Sequence, residues 1–376
     1  MNQHGRYTEA LECYGKALEE SPDFSMALGN MGICLKTLSL NLYDINHQVH
    51  ALRFSYNYLT KAVENNTEKK GLHETAHIAF TSVIKNIEEI FSINNVSKEI
   101  SKFKGFDLGN TNEKSYREWC LENILYLNPI NDMIKHTVSA HDIIHLPDMT
   151  FDMEDESIYG YLAMFNQLKQ EFASARFLYY DSINNENFHF SDKDVSLVNP
   201  LSYQEYSYNV EKCKIAFRIM YSLLDKIGFF INKYFKLGIN ERYVYFSNSV
   251  QELNTKQSNH YNWSIDSLYW ISKEVTGNKI NPYSLKMNEI RNHLEHKFFQ
   301  VITYGDYECI KDNDILSMGR AEFQEITLNL IKIVRSSIIA LSLAIHRNEN
   351  IKNSASEKQL TMPILHTGFI EDQWKI

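Results

Sequence analysis

The 376-residue chain lacks any paired cysteine motif. Its five cysteines, Cys13, Cys34, Cys120, Cys213 and Cys309, are scattered and odd in number with no C-x-x-C pair, which excludes a zinc ribbon or disulfide framework and points to reduced thiols. It also lacks a surplus of basic charge. With 38 Lys+Arg against 47 Asp+Glu, a formal charge of −9, sequence-independent coating of nucleic acid is disfavoured, whereas a local phosphate site is not. No apolar run reaches the roughly 18 residues a membrane span needs, and the opening MNQHGRYTEALECY has no apolar signal core. The expectation is a soluble cytoplasmic protein without membrane association. A chain this long buries a substantial core over two or three domains without metal or disulfide staples, so no cofactor is expected for stability.

The first positive signal lies at the N-terminus. In GRYTEALECYGKALEESPDFSMALGNMGICLK the order Gly5, Tyr7, Ala10, Tyr14, Ala17, Pro22, Ala27, Asn30, Gly32 resembles the tetratricopeptide repeat, from its second helix into the first helix of the next. Ala10 and Ala17 allow close helix approach, Tyr14 fills the gap between helices, and Pro22 stops the helix. The expectation is a few degenerate repeats over residues 1–100. The first repeat begins at its second helix, leaving an edge that is capped elsewhere or open to a partner.

Residues 101–154 alternate short apolar runs with Gly, Pro and Asp and read as an irregular connection with short helices. From 155 to 347 long helical periods dominate. Ile158, Leu162, Phe165, Leu168 and Phe172 form one stripe; Val210, Cys213, Phe217, Met220, Leu224, Ile227 and Ile231 a second; Phe323, Ile326, Leu330 and Ile333 a third. A further helix opens at Asn281 and Pro282, which read as N-cap and first-turn proline. The fold class expected is all-α, with helical repeats followed by an antiparallel four-helix bundle. Residues 348–376 read as a tail, with MPILHTGFI as a docking segment.

The stretch MNEIRNHLEHKFFQ, residues 287–300, concentrates the candidate chemistry. At about 100° per residue, Met287, Ile290, Leu294, Phe298 and Val301 share one helix face, and Asn292 and His296 lie roughly opposite. Arg291 and His296 are separated by about 140° and flank a groove. Glu295, four residues after Arg291, offers an intrahelical ion pair in the weaker orientation. Phe299 falls on the outward side, where something is expected to cover it.

RNHLEH, an Arg followed by Asn with a His five positions after the Arg, resembles the R-x4-6-H motif of the HEPN superfamily (higher eukaryotes and prokaryotes nucleotide-binding domain). YREWCLENILYLNPIND, residues 116–132, is similar to a segment of a bacterial branch that carries tetratricopeptide repeats before its HEPN bundle. The resemblance covers about residues 5–347 and implies a HEPN bundle over 155–347. It also implies an RNA substrate and metal-independent cleavage by 2′-OH attack. Arg291 would stabilise the phosphate, His296 would act as general acid or base and Asn292 would orient either; His293 and Lys297 are secondary substrate-binding candidates. One His cannot serve as base and acid in the same step, so a homodimer with a composite site is expected, with Phe299 near its interface. A toxin-like or antiphage role follows from the family, with a protein or peptide partner on the repeats.

Two other readings compete. One is a non-catalytic dimeric scaffold or nucleotide-binding protein, favoured by the acidic balance. The other is a metal enzyme using His136, His141 and His145 with Asp142 or Asp148, since His141 and His145 stand four apart.

Overall fold

The computed structural model describes residues 5–65, 72–90, 105–151, 158–185, 188–198, 203–257, 262–276, 283–303, 314–355 and 360–363. Among them eleven α-helices dominate, and the fold is all-α. The N-terminal helices are α1 (Tyr7–Glu20), α2 (Ser25–Ser39), α3 (Ile45–Glu64) and α4 (Glu74–Ile90). α1 ends two residues before Pro22, and Asp44 caps α3 by accepting from the His47 amide at 3.0 Å. Gly32 lets α2 and α3 approach closely: a Cβ there would lie 2.6 Å from Leu59 and 3.0 Å from the Ser55 carbonyl. Leu28, Leu52, Leu59, Ala62, Leu72, Phe80 and Ile87 form a small core of their own.

Helix α5 (Thr111–Glu122) and two short 3-10 turns, Pro129–Asp132 and Thr137–Ser139, precede the bundle. The bundle contains α6 (Ile158–Asn184), α7 (Tyr208–Tyr234), α8 (Phe246–Lys256), α9 (Trp263–Val275), α10 (Ser284–His296) and α11 (Arg320–Ala355). The second and third apolar stripes are buried throughout, as are Phe165, Leu168 and Phe172 of the first. The directions differ from a simple antiparallel arrangement. α6 runs antiparallel to α7, because Tyr161 near its start donates to the Lys233 carbonyl and Asp181 near its end accepts from Lys212. α7 and α11 run parallel, because Phe217 meets Phe323 near their starts and Tyr234 donates to Glu349 near their ends. The 23 residues between α6 and α7 and the short helices α8 to α10 allow this order. Asn281 and Pro282 lie outside the described residues; the described helix starts at Ser284.

Three further sequence expectations change. The helix expected through Val301 stops at His296, and Phe298–Ile302 forms β2, which pairs parallel with β3 (Ile315–Gly319). The aromatic and β-branched run FFQVI favours a pleated surface, and Phe299 packs on Phe323 with ring centroids 4.8 Å apart. Second, the stretch after 348 is not all tail: α11 continues to Ala355, and β4 (Leu360–Met362) pairs antiparallel with β1 (Met149–Phe151). Third, α11 is long and apolar enough to span a membrane by composition. Its apolar window is 83% buried within the fold, which marks it as the core helix.

Residues 116–142 are fastened to the bundle by two buried arginines. Arg335 of α11 donates bidentately to Asp132 at 2.8 and 2.8 Å, and to the carbonyls of Tyr126 (2.6 Å) and Asn128 (3.1 Å). Arg176 of α6 donates to Asp142 at 3.0 and 2.8 Å, to the Leu125 carbonyl at 2.8 Å and to the Tyr116 hydroxyl at 2.9 Å. Burial pushes the Asp142 carboxyl up, but Arg176 and the Leu127 amide more than offset it and hold it below the usual range. Ile124, between these anchors, adopts φ +57°, a left-handed conformation that costs a β-branched residue about 1–2 kcal/mol. Its neighbours hold it there: the Leu125 amide donates to Cys120 O while Arg176 takes the Leu125 carbonyl.

Tyr43, His145 and His346 make the other junction. Tyr43 stacks on His346 at 3.6 Å, and His346 Nε2 donates to the His145 carbonyl at 3.0 Å, which also accepts from Ser342. Burial pushes the His346 pKa down to about 3.

Removing one partner of the Arg335–Asp132 pair leaves a buried charge uncompensated. Arg335→Met is expected to cost about 3–5 kcal/mol in urea unfolding, and the double replacement Arg335→Met/Asp132→Leu less than the single one. His346 binds its proton less readily when folded, so its contribution is present above pH 6.5 and lost as pH falls toward 3. Stability should drop by about 2 kcal/mol between pH 7 and 5 from this group alone. His346→Gln should flatten that part of the pH dependence.

Candidate functional site

Helix α10 is amphipathic. Ser284, Met287, Ile290 and Leu294 are buried, whereas Asn292, Glu295 and His296 are exposed and Arg291 and His293 half-buried. The chain turns extended at Lys297 and enters β2, whose buried Phe299 and Val301 tie it to the core. The helix end is therefore held firmly from inside while its polar side faces solvent.

Arg291 Nη1 donates to Asn292 Oδ1 at 3.1 Å, and the guanidinium carbon lies 5.9 Å from the centre of the Tyr221 ring on α7. Among the described residues no hydrogen bond or ion pair joins Arg291 to His296. The two stand on different sides of the last helical turns and can bracket a bound group only from two directions. His293 faces back along its own helix, with Nδ1 2.9 Å from the Glu289 carbonyl. Lys297 pairs with Asp314 at 3.4 Å. Glu295 pairs with Arg218 of α7 at 3.6 Å rather than with Arg291, because α7 offers a second cation across the helix interface.

Phe299 is 7% exposed, and Phe298 beside it is 70% exposed. The strand reverses the expectation for both: the period of two sends Phe299 inward and Phe298 outward. Sequence reading also passed over Tyr221, Asn288 and Asp225. Burial pushes the Tyr221 hydroxyl up to about 12, aided by Asp225 and opposed by Arg291. The Asp225 carboxyl, which accepts from the Phe246 amide at 3.3 Å, is likewise raised by burial. No sequence signal joins residues 67 positions apart.

Two of the three histidines of the metal reading are hydrogen-bonded within their own segment, whereas His141 packs on Phe106 with ring centroids 4.6 Å apart and its buried Nδ1 has no hydrogen-bond partner. His136 Nδ1 accepts from the Val138 amide at 3.1 Å, His145 Nδ1 lies 2.6 Å from the Leu146 carbonyl, and Asp142 is clasped by Arg176. Among the described residues no three His, Cys, Asp or Glu side chains are grouped to hold a metal ion.

A domain of three long packed helices and three short ones, the last of which leads into a small parallel strand pair, defines an all-α bundle class. Within it the chain belongs to the LA2681-like HEPN family, whose model matches residues 153–348, more than half of the chain. No curated protein and no solved structure gives a significant match.

Because His296 makes no core contact, His296→Ala should leave the urea midpoint unchanged, whereas Phe299→Ala should cost about 3–5 kcal/mol. Both are read from equilibrium unfolding curves.

Proposed function

We propose that the chain is a metal-independent endoribonuclease of HEPN type whose active site forms across a homodimer. The observation that carries this reading is the presentation of Arg291, Asn292 and His296 at one solvent-facing helix end, with Arg291 already oriented by Asn292 and Tyr221. Family membership supports it, since HEPN domains are often ribonucleases.

In the proposed reaction the RNA 2′-oxygen attacks the adjacent phosphorus and gives its proton to a His296 acting as base. The P–O5′ bond breaks as the second His296, protonated, donates to the leaving 5′ oxygen. The products are a 2′,3′-cyclic phosphate and a 5′-OH end. The two Arg291 side chains would stabilise the phosphorane-like charge, Asn292 would hold the guanidinium edge, and His293 and Lys297 would contact the flanking backbone. Exposed Phe298, two residues after His296, supplies apolar surface for contact with the second copy.

Helices α1 to α4 are read as tetratricopeptide-like and as the place where a protein or peptide partner restrains or triggers cleavage. On this reading the protein acts in the cytoplasm as a regulated toxin or antiphage effector. Single-stranded RNA is the expected substrate, because its 2′-OH groups and bases are accessible.

Purified protein incubated with total cellular RNA in EDTA should generate ends that a kinase labels without prior phosphatase treatment. Arg291→Ala and His296→Ala should each reduce the rate by about 10²–10⁴-fold. Cleavage that survives both substitutions would overturn the assignment, and a folded dimer that leaves RNA intact with and without partner-bearing lysate would favour a scaffold.

A further inference from the structure

Resting on the reading of Arg291 as the phosphate-holding group, we propose that Tyr221 and Asn288 are positioning residues that set the direction of its guanidinium. An arginine on an exposed helix face samples many rotamers, and a fork that must meet phosphate oxygens loses much of its value unless it is held in place. Here three helices converge to hold it. The Tyr221 ring on α7 lies against the guanidinium, with the cation 5.9 Å from the ring centre. The Tyr221 hydroxyl donates to Asn288 Oδ1 at 2.5 Å. Asn288 stands three residues before Arg291, on the same side of α10.

Asn288 is itself fixed. Its amide nitrogen donates to the Val275 carbonyl, at the last residue of α9, at 2.8 Å, and to the Ser284 carbonyl in the first turn of α10 at 3.1 Å. The amide is thus engaged at both ends, and its oxygen is directed at the tyrosine. Tyr221 keeps its proton through the neutral range, since burial raises its pKa to about 12. The ring therefore presents the same face and the same donor at any working pH. Asn292 bonds the guanidinium through Nη1, and the Tyr221 ring bounds it on the α7 side, its centre 5.9 Å from the guanidinium carbon. Two contacts from different sides restrict the rotamers of the fork, and a restricted fork favours bidentate contact with a phosphate.

The arrangement predicts a graded response in the full-length protein. Tyr221→Leu should lower kcat for RNA cleavage about tenfold with KM within about twofold, and Tyr221→Phe, which keeps the ring and loses the hydroxyl, should fall between Leu and wild type. In an Arg291→Lys background, where no flat fork remains to be aimed, Tyr221→Leu should make no further difference. A second readout is independent of activity. The Arg291 Nε–H resonance, identified by its loss in Arg291→Lys, should be shifted upfield by the ring in wild type and return downfield in Tyr221→Leu. Wild-type kcat in Tyr221→Leu, a full tenfold loss in the Arg291→Lys background, or an unchanged resonance would each overturn the positioning role while leaving the ribonuclease reading intact. Absence of wild-type cleavage would remove the reaction and this role with it.

Discussion

Two buried guanidinium groups hold the irregular middle of the chain in place. Arg176 and Arg335 extend from bundle helices into residues 116–142, and each meets a carboxylate bidentately, Arg176 with one backbone carbonyl besides and Arg335 with two. Burying a cation costs several kcal/mol unless its hydrogen bonds are satisfied. Here they are met by the two carboxylates and by the carbonyls of Leu125, Tyr126 and Asn128, which this segment has little regular structure to pair. Arg335 thus satisfies two backbone carbonyls and Arg176 one, and together they fix the path of the chain between them.

Helix α11 also carries the N-terminal segment. Lys332 and Ser336, on either side of Arg335, meet Glu12 and Thr8 of α1. The core that begins at Tyr7 continues without a break through residues 120–149 into the bundle. Arg6 pairs with Glu274 near the end of α9, and the next residue, Val275, supplies the carbonyl that fixes Asn288. The N-terminal helix and the candidate site therefore lean on adjacent residues of one helix end.

The two parts of the molecule differ in how their residues are held. The arginines at 176 and 335 are enclosed and fully engaged, as structural charges must be. Arg291 is half-buried, bonded to Asn292 through Nη1 and 5.9 Å from the centre of the Tyr221 ring. A group that is to bind a transient anion needs this combination of orientation and access.

Much of the architecture could be read from periodicity. Val210 through Ile231 and Phe323 through Ile333 lie inside because a long buried helix imprints its 3.6-residue repeat on the sequence. The polar end of α10 was legible for the same reason: Asn292 and His296 fall opposite Met287, Ile290 and Leu294. The strand at Phe298–Ile302 was not, since a short, mostly apolar stretch fits a helix face and a strand equally well until β3 pairs with it. Arg176 and Arg335 carry no local sign that they are buried, and Tyr221 and Asn288 none that they meet. By itself the sequence determined the long helices, the faces they bury and the residue types that crowd the α10 terminus, because those properties depend on local spacing, whereas the short helices α8 and α9 were not legible in it. Only the tertiary structure decided the parallel course of α7 and α11, the partners of the buried arginines and the setting of Arg291, because each depends on contacts between side chains far apart along the chain.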